Sequence, residues 1–270
     1  MDTKMLTLER FEEASDIVRK VTQETKLVYS DFYSTQTGNK VYFKPENMQL
    51  TGAYKLRGAY YTPLKLAEKM VDFFKKDASI KSILEPSCGD GVFVDALVET
   101  QFLTQNRKVT AIEIEKNEAQ KVAEKLKNNP NVSVVNRDFF EFYQKYKDIN
   151  KYDMILGNPP YIRYQYLEEK QRMEMAEILT SHGMKANKLI NTWVGFMVAC
   201  VHMLSDNGKI AFVIPAEILQ VAYAEDLRLF LSNKLSKITL LTFEELVFPG
   251  IEQEVVVFIG EKGDSEKGIR

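Results

Sequence analysis

Cysteine and histidine are scarce here, with two of each in 270 residues. Two cysteines, Cys88 and Cys200, are too few for a disulfide framework and suit a reducing, cytoplasmic compartment. Two histidines argue against a zinc site of His/Cys type, and no metal is expected. Long apolar runs are missing as well. The longest, from Trp193 to Leu204, contains His202 and is too short to span a bilayer. The opening MDTKMLTLERFEE is charged and has none of the apolar core of a signal peptide, so no membrane partner is expected. Neither sign of charge is in excess: 36 basic residues face 38 acidic ones, a formal net charge of −2. Any contact with nucleic acid therefore depends on a local basic patch.

What is present is a change of rhythm. Over Leu6 to Lys26, Leu8, Phe11, Ala14, Ile17, Val18 and Val21 recur at helical spacing, and a short strand, KVYFK, follows at 40–44. From Pro63 onward helix and strand patterns alternate. LKLAEKMVDFF (64–74) is a helix with proline at its start. SILE (82–85), VTAIE (109–113), VSVVN (132–136) and DMILG (153–157) read as strands, with helices from Val92, from Lys116 and near Phe140 between them. An insertion at 162–188 precedes a helix at 189–204, the strand KIAFVIP (209–215) and a helix at 220–234. ITLLTF (238–243) and EVVVFIG (254–260) close the pattern with no helix between them. This alternation predicts an α/β fold: a mostly parallel sheet of seven strands, covered by helices, with an antiparallel hairpin at one edge.

In such a sheet, ligands bind beyond the carboxyl ends of the strands, so the residues ending each strand are the candidates. The first strand ends in EPSCGDGVF (85–93), where Gly89 and Gly91 permit a tight turn and a close approach of backbone to ligand. The same G-x-G also fits an ordinary strand-to-helix turn, and Val94 stands where a dinucleotide fingerprint requires a third glycine. The second strand ends in Glu113, which is either a solvated charge or an acceptor for two ribose hydroxyls. The third ends in Asn136-Arg137-Asp138-Phe139, where Asp138 is either a helix N-cap or an acceptor for an adenine amino group, with Phe139 against the base. The fourth ends abruptly in Asn158-Pro159-Pro160-Tyr161, an amide, a carbonyl held by a fixed φ, and an aromatic ring.

The ordered set YTP (61–63), EPSCGDGVF, an acid after the second strand, RDFF (137–140), NPPY (158–161) and GKIAFVIP (208–215) resembles the gamma-type adenine-N6 DNA methyltransferases of restriction-modification systems, over about residues 58–262. The resemblance implies a Rossmann-like S-adenosylmethionine methyltransferase fold. It implies that Thr62 and Pro63 border the methionine end of the cofactor, that Glu85, Gly89 and Gly91 form its loop, that Glu113 holds the ribose, and that Asp138 and Phe139 hold the adenine. It implies that Asn158, Pro159, Pro160 and Tyr161 grip a flipped target adenine in DNA, and that Phe248 in VFPG (247–250) stacks on that base. Family members carry a target-recognition domain after the catalytic one. A chain stopping soon after the last strand is expected to need a separate specificity subunit or to be part of a longer protein. Arg163, Tyr164, Tyr166, Lys170, Arg172, Lys185 and Lys188 of the insertion either contact phosphates or belong to a solvated helix.

A second resemblance covers roughly residues 5–61. KPENMQLTGAYKLRGAYY (44–61) is similar to the segment of pyridoxal-phosphate threonine dehydratases that carries the Schiff-base lysine, matched here by Lys55. The phosphate-binding loop and the rest of that enzyme do not follow. The expected organisation is thus a dehydratase-like head (1–61), a methyltransferase domain (62–262) and a tail (263–270). Other readings are a methyltransferase acting on RNA or on protein glutamine, a cofactor-binding fragment without turnover, and a dehydratase fragment.

Overall fold

The computed structural model describes residues 28–29, 35, 40, 42–43, 62–104, 106–186, 190–219, 224–243, 247 and 254–263. The chain divides into two units, Met1–Tyr60 and Tyr61–Arg270. In the first, Val28–Tyr29 pairs antiparallel with Tyr42–Phe43, inside the strand expected at 40–44. The expected helix at 6–26, Lys55 and Phe248 lie outside the described residues.

The second unit holds seven strands: β1 (Ser82–Glu85), β2 (Lys108–Glu113), β3 (Val132–Asn136), β4 (Tyr152–Gly157), β5 (Leu204–Pro215), β6 (Lys237–Leu241) and β7 (Val255–Glu261). They form one sheet in the order β3-β2-β1-β4-β5-β7-β6. The pairs from β3 to β5 are parallel, and β7 runs antiparallel to both of its neighbours. The closing antiparallel pair expected from the sequence is present, with the last strand inside the sheet and β6 at its edge. The burial explains the order. Val255 to Gly260 is buried throughout, as a strand covered on both faces must be, whereas Lys237–Leu241 keeps partial exposure along its length.

The helices are α1 (Leu64–Asp72), α2 (Val92–Glu99), α3 (Lys116–Lys125), α4 (Phe139–Tyr146), α5 (Glu169–Ser181), α6 (Thr192–Met203) and α7 (Glu225–Lys234). Pro63 stands at the N-cap of α1, and its carbonyl accepts from Leu66 and Ala67 at 2.8 and 3.1 Å. Every residue of α6 except His202 is buried, so this helix is the spine of the larger core. Gly195 allows the close approach: a Cβ there would stand 2.9 Å from Met175 of α5 and 3.2 Å from Phe140 of α4. The expected boundary between the helix ending at 204 and the strand starting at 209 falls earlier. α6 stops at Met203, and Leu204 already pairs with Tyr152 before the register shifts to Met154 opposite Lys209.

Polar ties hold the starts of three strands together. Asp153 of β4 accepts from the backbone N–H groups of Lys81 and Ser82 at 3.0 Å, and from the hydroxyls of Ser82 at 3.0 Å and Ser205 of β5 at 2.9 Å. The opposite, carboxyl ends of β1 to β4 are thereby left to the loops that carry the candidate site.

Candidate active site

The parallel register aligns the strand ends. Glu85 pairs with Ala111 and Glu113 with Asn136. Beyond β1 the chain turns through Gly89 at φ +53° and Gly91 at φ +86°, the left-handed region that glycine occupies without a Cβ penalty. A Cβ at Gly91 would also stand 3.1 Å from the Val122 side chain of α3, so the glycine serves the packing of helix on loop as well as the turn. The loop is anchored to β2 by Cys88 N–H donating to the Ile112 carbonyl at 2.8 Å. Gly89 N–H donates to Glu113 Oε2 at 2.7 Å, and Glu115 N–H to Glu113 Oε1 at 2.8 Å. Each oxygen of that carboxylate keeps one further acceptor position, so two hydroxyls can be taken without breaking either bond. Burial raises the Glu113 pKa, against the lowering influence of those two N–H groups.

Glu85 is fully buried, and among the described residues neither of its carboxylate oxygens has a hydrogen-bond partner. Burial pushes its pKa well above the ordinary carboxylate range, with Asp90 and Glu113 adding to the rise. A carboxyl group in this state suits a cationic ligand group. Thr62 is buried beside the start of α1, and among the described residues its hydroxyl likewise has no partner. Two buried acceptors without donors among the described residues, a loop of positive-φ glycines and an acid with spare lone pairs fit the ammonium, backbone-facing and ribose parts of an adenosyl amino acid.

NPPY leaves β4 at the same end. The Asn158 carbonyl accepts from Ser87 Oγ of the glycine loop at 3.4 Å, which ties the two loops together. Asn158 Oδ1 and Pro159 are buried, and Pro160 is partly exposed. Tyr161 donates its hydroxyl to the Val213 carbonyl of β5 at 2.9 Å, which fixes its ring against the core edge. The next residues are clamped to α6: the Ile162 carbonyl accepts from Thr192 N–H at 2.8 Å, and Tyr164 N–H donates to the Ile190 carbonyl at 3.2 Å.

Asp138 caps α4. Its Oδ1 accepts from Phe140 N–H at 2.7 Å and Glu141 N–H at 3.3 Å, and its Oδ2 accepts from Gln171 Nε2 of α5 at 2.7 Å. The Phe139 ring is buried against Phe196, with centroids 4.6 Å apart, inside the core. In the insertion, Lys170 is paired with Glu141, and the Arg172 guanidinium donates to the Leu167 carbonyl at 2.7 Å. Glu168, Glu169, Glu174 and Glu177 line the groove beside α5 with Lys170, which makes that side acidic and a poor phosphate surface. Ser87 and Gln171 were not among the residues singled out from the sequence. Ser87 carried a signal, since it lies inside the glycine loop, whereas Gln171 carried none. No helix among the described residues is long and apolar enough to cross a membrane.

The strand order and the covering helices are those of the Rossmann-like S-adenosylmethionine-dependent methyltransferase fold class. A methyltransferase of that class from Listeria monocytogenes aligns with a TM-score of 0.58 at 12% identity, over 77% of this chain and 64% of that one. The methyltransferase subunit of a type I restriction-modification system from Streptococcus thermophilus aligns with a TM-score of 0.63 at 18% identity, over 79% of this chain and 49% of that one. The Eco57I restriction-modification methylase family matches residues 60–248, and the chain belongs to that family. Its cofactor is S-adenosylmethionine. The Type II methyltransferase M.AccI of Acinetobacter calcoaceticus is 31% identical over 191 residues, 70% of this chain and 34% of the relative. The chain spans about a third of the length of the curated relatives it matches first, which are covered to 34, 37 and 36%. A separate match is to L-threonine ammonia-lyase of Thermotoga maritima, 43% identical over 65 residues, 24% of this chain and 16% of that protein.

Proposed function

We propose that this chain transfers a methyl group from S-adenosylmethionine to the exocyclic N6 of a flipped adenine in DNA. The observation that supports the proposal is the junction of Asn158 with the glycine loop through Ser87 at 3.4 Å, which brings NPPY and that loop together. The cofactor supplies an electrophilic methyl on a sulfonium. The adenine amine is a weak nucleophile because its lone pair is delocalised into the ring. Asn158 Oδ1 and the Pro159 carbonyl each accept one of its N–H groups, which favours a pyramidal nitrogen with its lone pair turned to the methyl. Tyr161 stacks on the extruded base, and Phe248 is assigned the second stacking ring. On the cofactor side, Glu85 takes the ammonium group, Thr62 and Pro63 border it, Gly89 and Gly91 admit it, Glu113 takes the ribose, and Asp138 with the backbone of Phe139, whose ring packs on Phe196 in the core, flanks the adenine.

The methyltransferase domain is assigned to residues 62–262 and the dehydratase-like head to 1–61. Recognition of a DNA sequence is assigned to a separate specificity subunit or a further domain, because the curated relatives are about three times as long as the matched region. The protein is placed in the cytoplasm with its DNA. Incubation with labelled cofactor and unmethylated DNA, RNA or glutamine peptides, followed by nucleoside and peptide mass spectrometry, tests the substrate. N6-methyladenine from DNA alone is expected. Label in RNA or in a glutamine side chain, or cofactor binding with no transfer to any of the three, overturns the DNA assignment.

A further inference from the structure

The contact between Asp138 and Gln171 joins two parts of the fold that the reaction must coordinate. Asp138 begins α4, directly after β3, where the cofactor's adenine is placed. Gln171 lies in the first turn of α5, the helix that follows NPPY. Its amide is fixed at both ends: Oε1 accepts from Glu168 N–H at 3.2 Å in a capping box, and Nε2 donates to Asp138 Oδ2 at 2.7 Å. The orientation is therefore not arbitrary. Turning the amide over would set its oxygen against the carboxylate and its NH₂ against an N–H.

An ionised carboxylate offers about four lone-pair positions. In Asp138, Phe140 N–H and Glu141 N–H occupy Oδ1, and Gln171 occupies one position of Oδ2. Among the described residues no other donor reaches Asp138, so one position is left, on Oδ2, and the Gln171 amide decides which of the two it is. A site with one aimed acceptor takes an amino group and rejects a carbonyl in its place, because two acceptors would then face each other. Both helix starts are further held together by the Lys170–Glu141 pair, one residue from Gln171.

We infer that Gln171 is a positioning residue for cofactor recognition, aiming the last acceptor position of Asp138 at the 6-amino group of the adenine and linking that choice to the helix after NPPY. The inference rests on the methyltransferase reading. Calorimetric titration of the full chain with S-adenosylhomocysteine and with its 6-oxo analogue, S-inosylhomocysteine, tests it in wild type and in Gln171→Met. Wild type prefers the amino compound by tenfold or more. In Gln171→Met the preference shrinks to threefold or less, because affinity for the amino compound falls while that for the 6-oxo compound hardly changes. The shorter Gln171→Asn withdraws the amide from Asp138 and gives the same loss of preference, which serves if the methionine variant does not fold. A preference kept in both variants, with the two compounds weakened equally, means that Gln171 only supports the helix and overturns the inference alone. A wild-type chain that binds neither compound overturns the methyltransferase reading with it.

Discussion

Among the described residues, neither oxygen of the buried Glu85 carboxyl has a hydrogen-bond partner, and the proposed reading assigns the cofactor's ammonium group to it. Its pKa is raised by burial, so the folded protein binds its proton more tightly than the unfolded chain does. The sign follows: above its ordinary value of 4.5, rising pH favours the unfolded state through this group. Glu85→Gln removes that penalty. We expect it to raise the melting temperature of the ligand-free protein near neutral pH, with the gain vanishing at acid pH, and to weaken S-adenosylmethionine binding at least tenfold. Differential scanning fluorimetry with and without cofactor measures both. The candidacy of Glu85, Glu113 and Asn158 was legible in the sequence because each ends an apolar run, and the ends of parallel strands share one rim. The chemistry of each was less so. That Asp138 spends three acceptor positions on protein N–H groups, and that the Tyr161 hydroxyl is tied to β5, are tertiary facts with no trace in spacing.

Among the elements, β1, β4 and β5 start together because Asp153 accepts four hydrogen bonds from Lys81, Ser82 and Ser205. Burial alone would raise its pKa, but the N–H groups of Ser82 and Lys81 and the two serine hydroxyls hold it below its ordinary value of 3.8. Its stabilisation is present above that value and is lost as pH falls through the lower folded-state value. Asp153→Asn should cost about 1–3 kcal/mol in a urea titration near neutral pH, a difference that shrinks under acid conditions. The facing ends of α5 and α6 respond to pH in the same direction. His182 and His202 lie 5.0 Å apart between ring centroids, and the Tyr143 hydroxyl is 2.8 Å from His202 Nδ1. Burial lowers the His202 pKa from 6.5 to about 4, with Lys151 and His182 adding to the shift. Between those values the unfolded chain binds more protons, so stability falls as pH drops through the window. His202→Gln should flatten that fall in urea titrations from pH 7 to 4. Periodicity showed which elements exist. The boundary of α6 with β5 was misplaced because Ser205-Asp206-Asn207-Gly208 has the composition of a turn, and only the pairing of Leu204 with Tyr152 of β4 brings this stretch into the strand.

For the whole molecule, the division into units Met1–Tyr60 and Tyr61–Arg270, with the family match over residues 60–248, predicts that cofactor binding resides in the second unit. Removing residues 1–60 should leave the affinity for S-adenosylmethionine within threefold by calorimetry. Adding pyridoxal phosphate to the full chain should produce no lysine-linked absorbance band. A loss of cofactor binding on truncation would tie the head to the site. The architecture was legible from the order of strands and helices, including the antiparallel closing pair. The insertion of the last strand inside the sheet was readable only in retrospect, from the unbroken apolar run Val255–Ile259.

The claim on which the function turns is that residues 158 and 159 grip the target amine beside the methyl group. Single-turnover methyl transfer to DNA by Asn158→Ala, with cofactor affinity measured on the same preparation, tests it most directly. The expected result is a rate reduced by roughly 10²–10³, as for loss of one group in a preorganised polar site, with cofactor affinity unchanged. Transfer at the wild-type rate would contradict it, as would a loss of rate that matches a loss of cofactor binding.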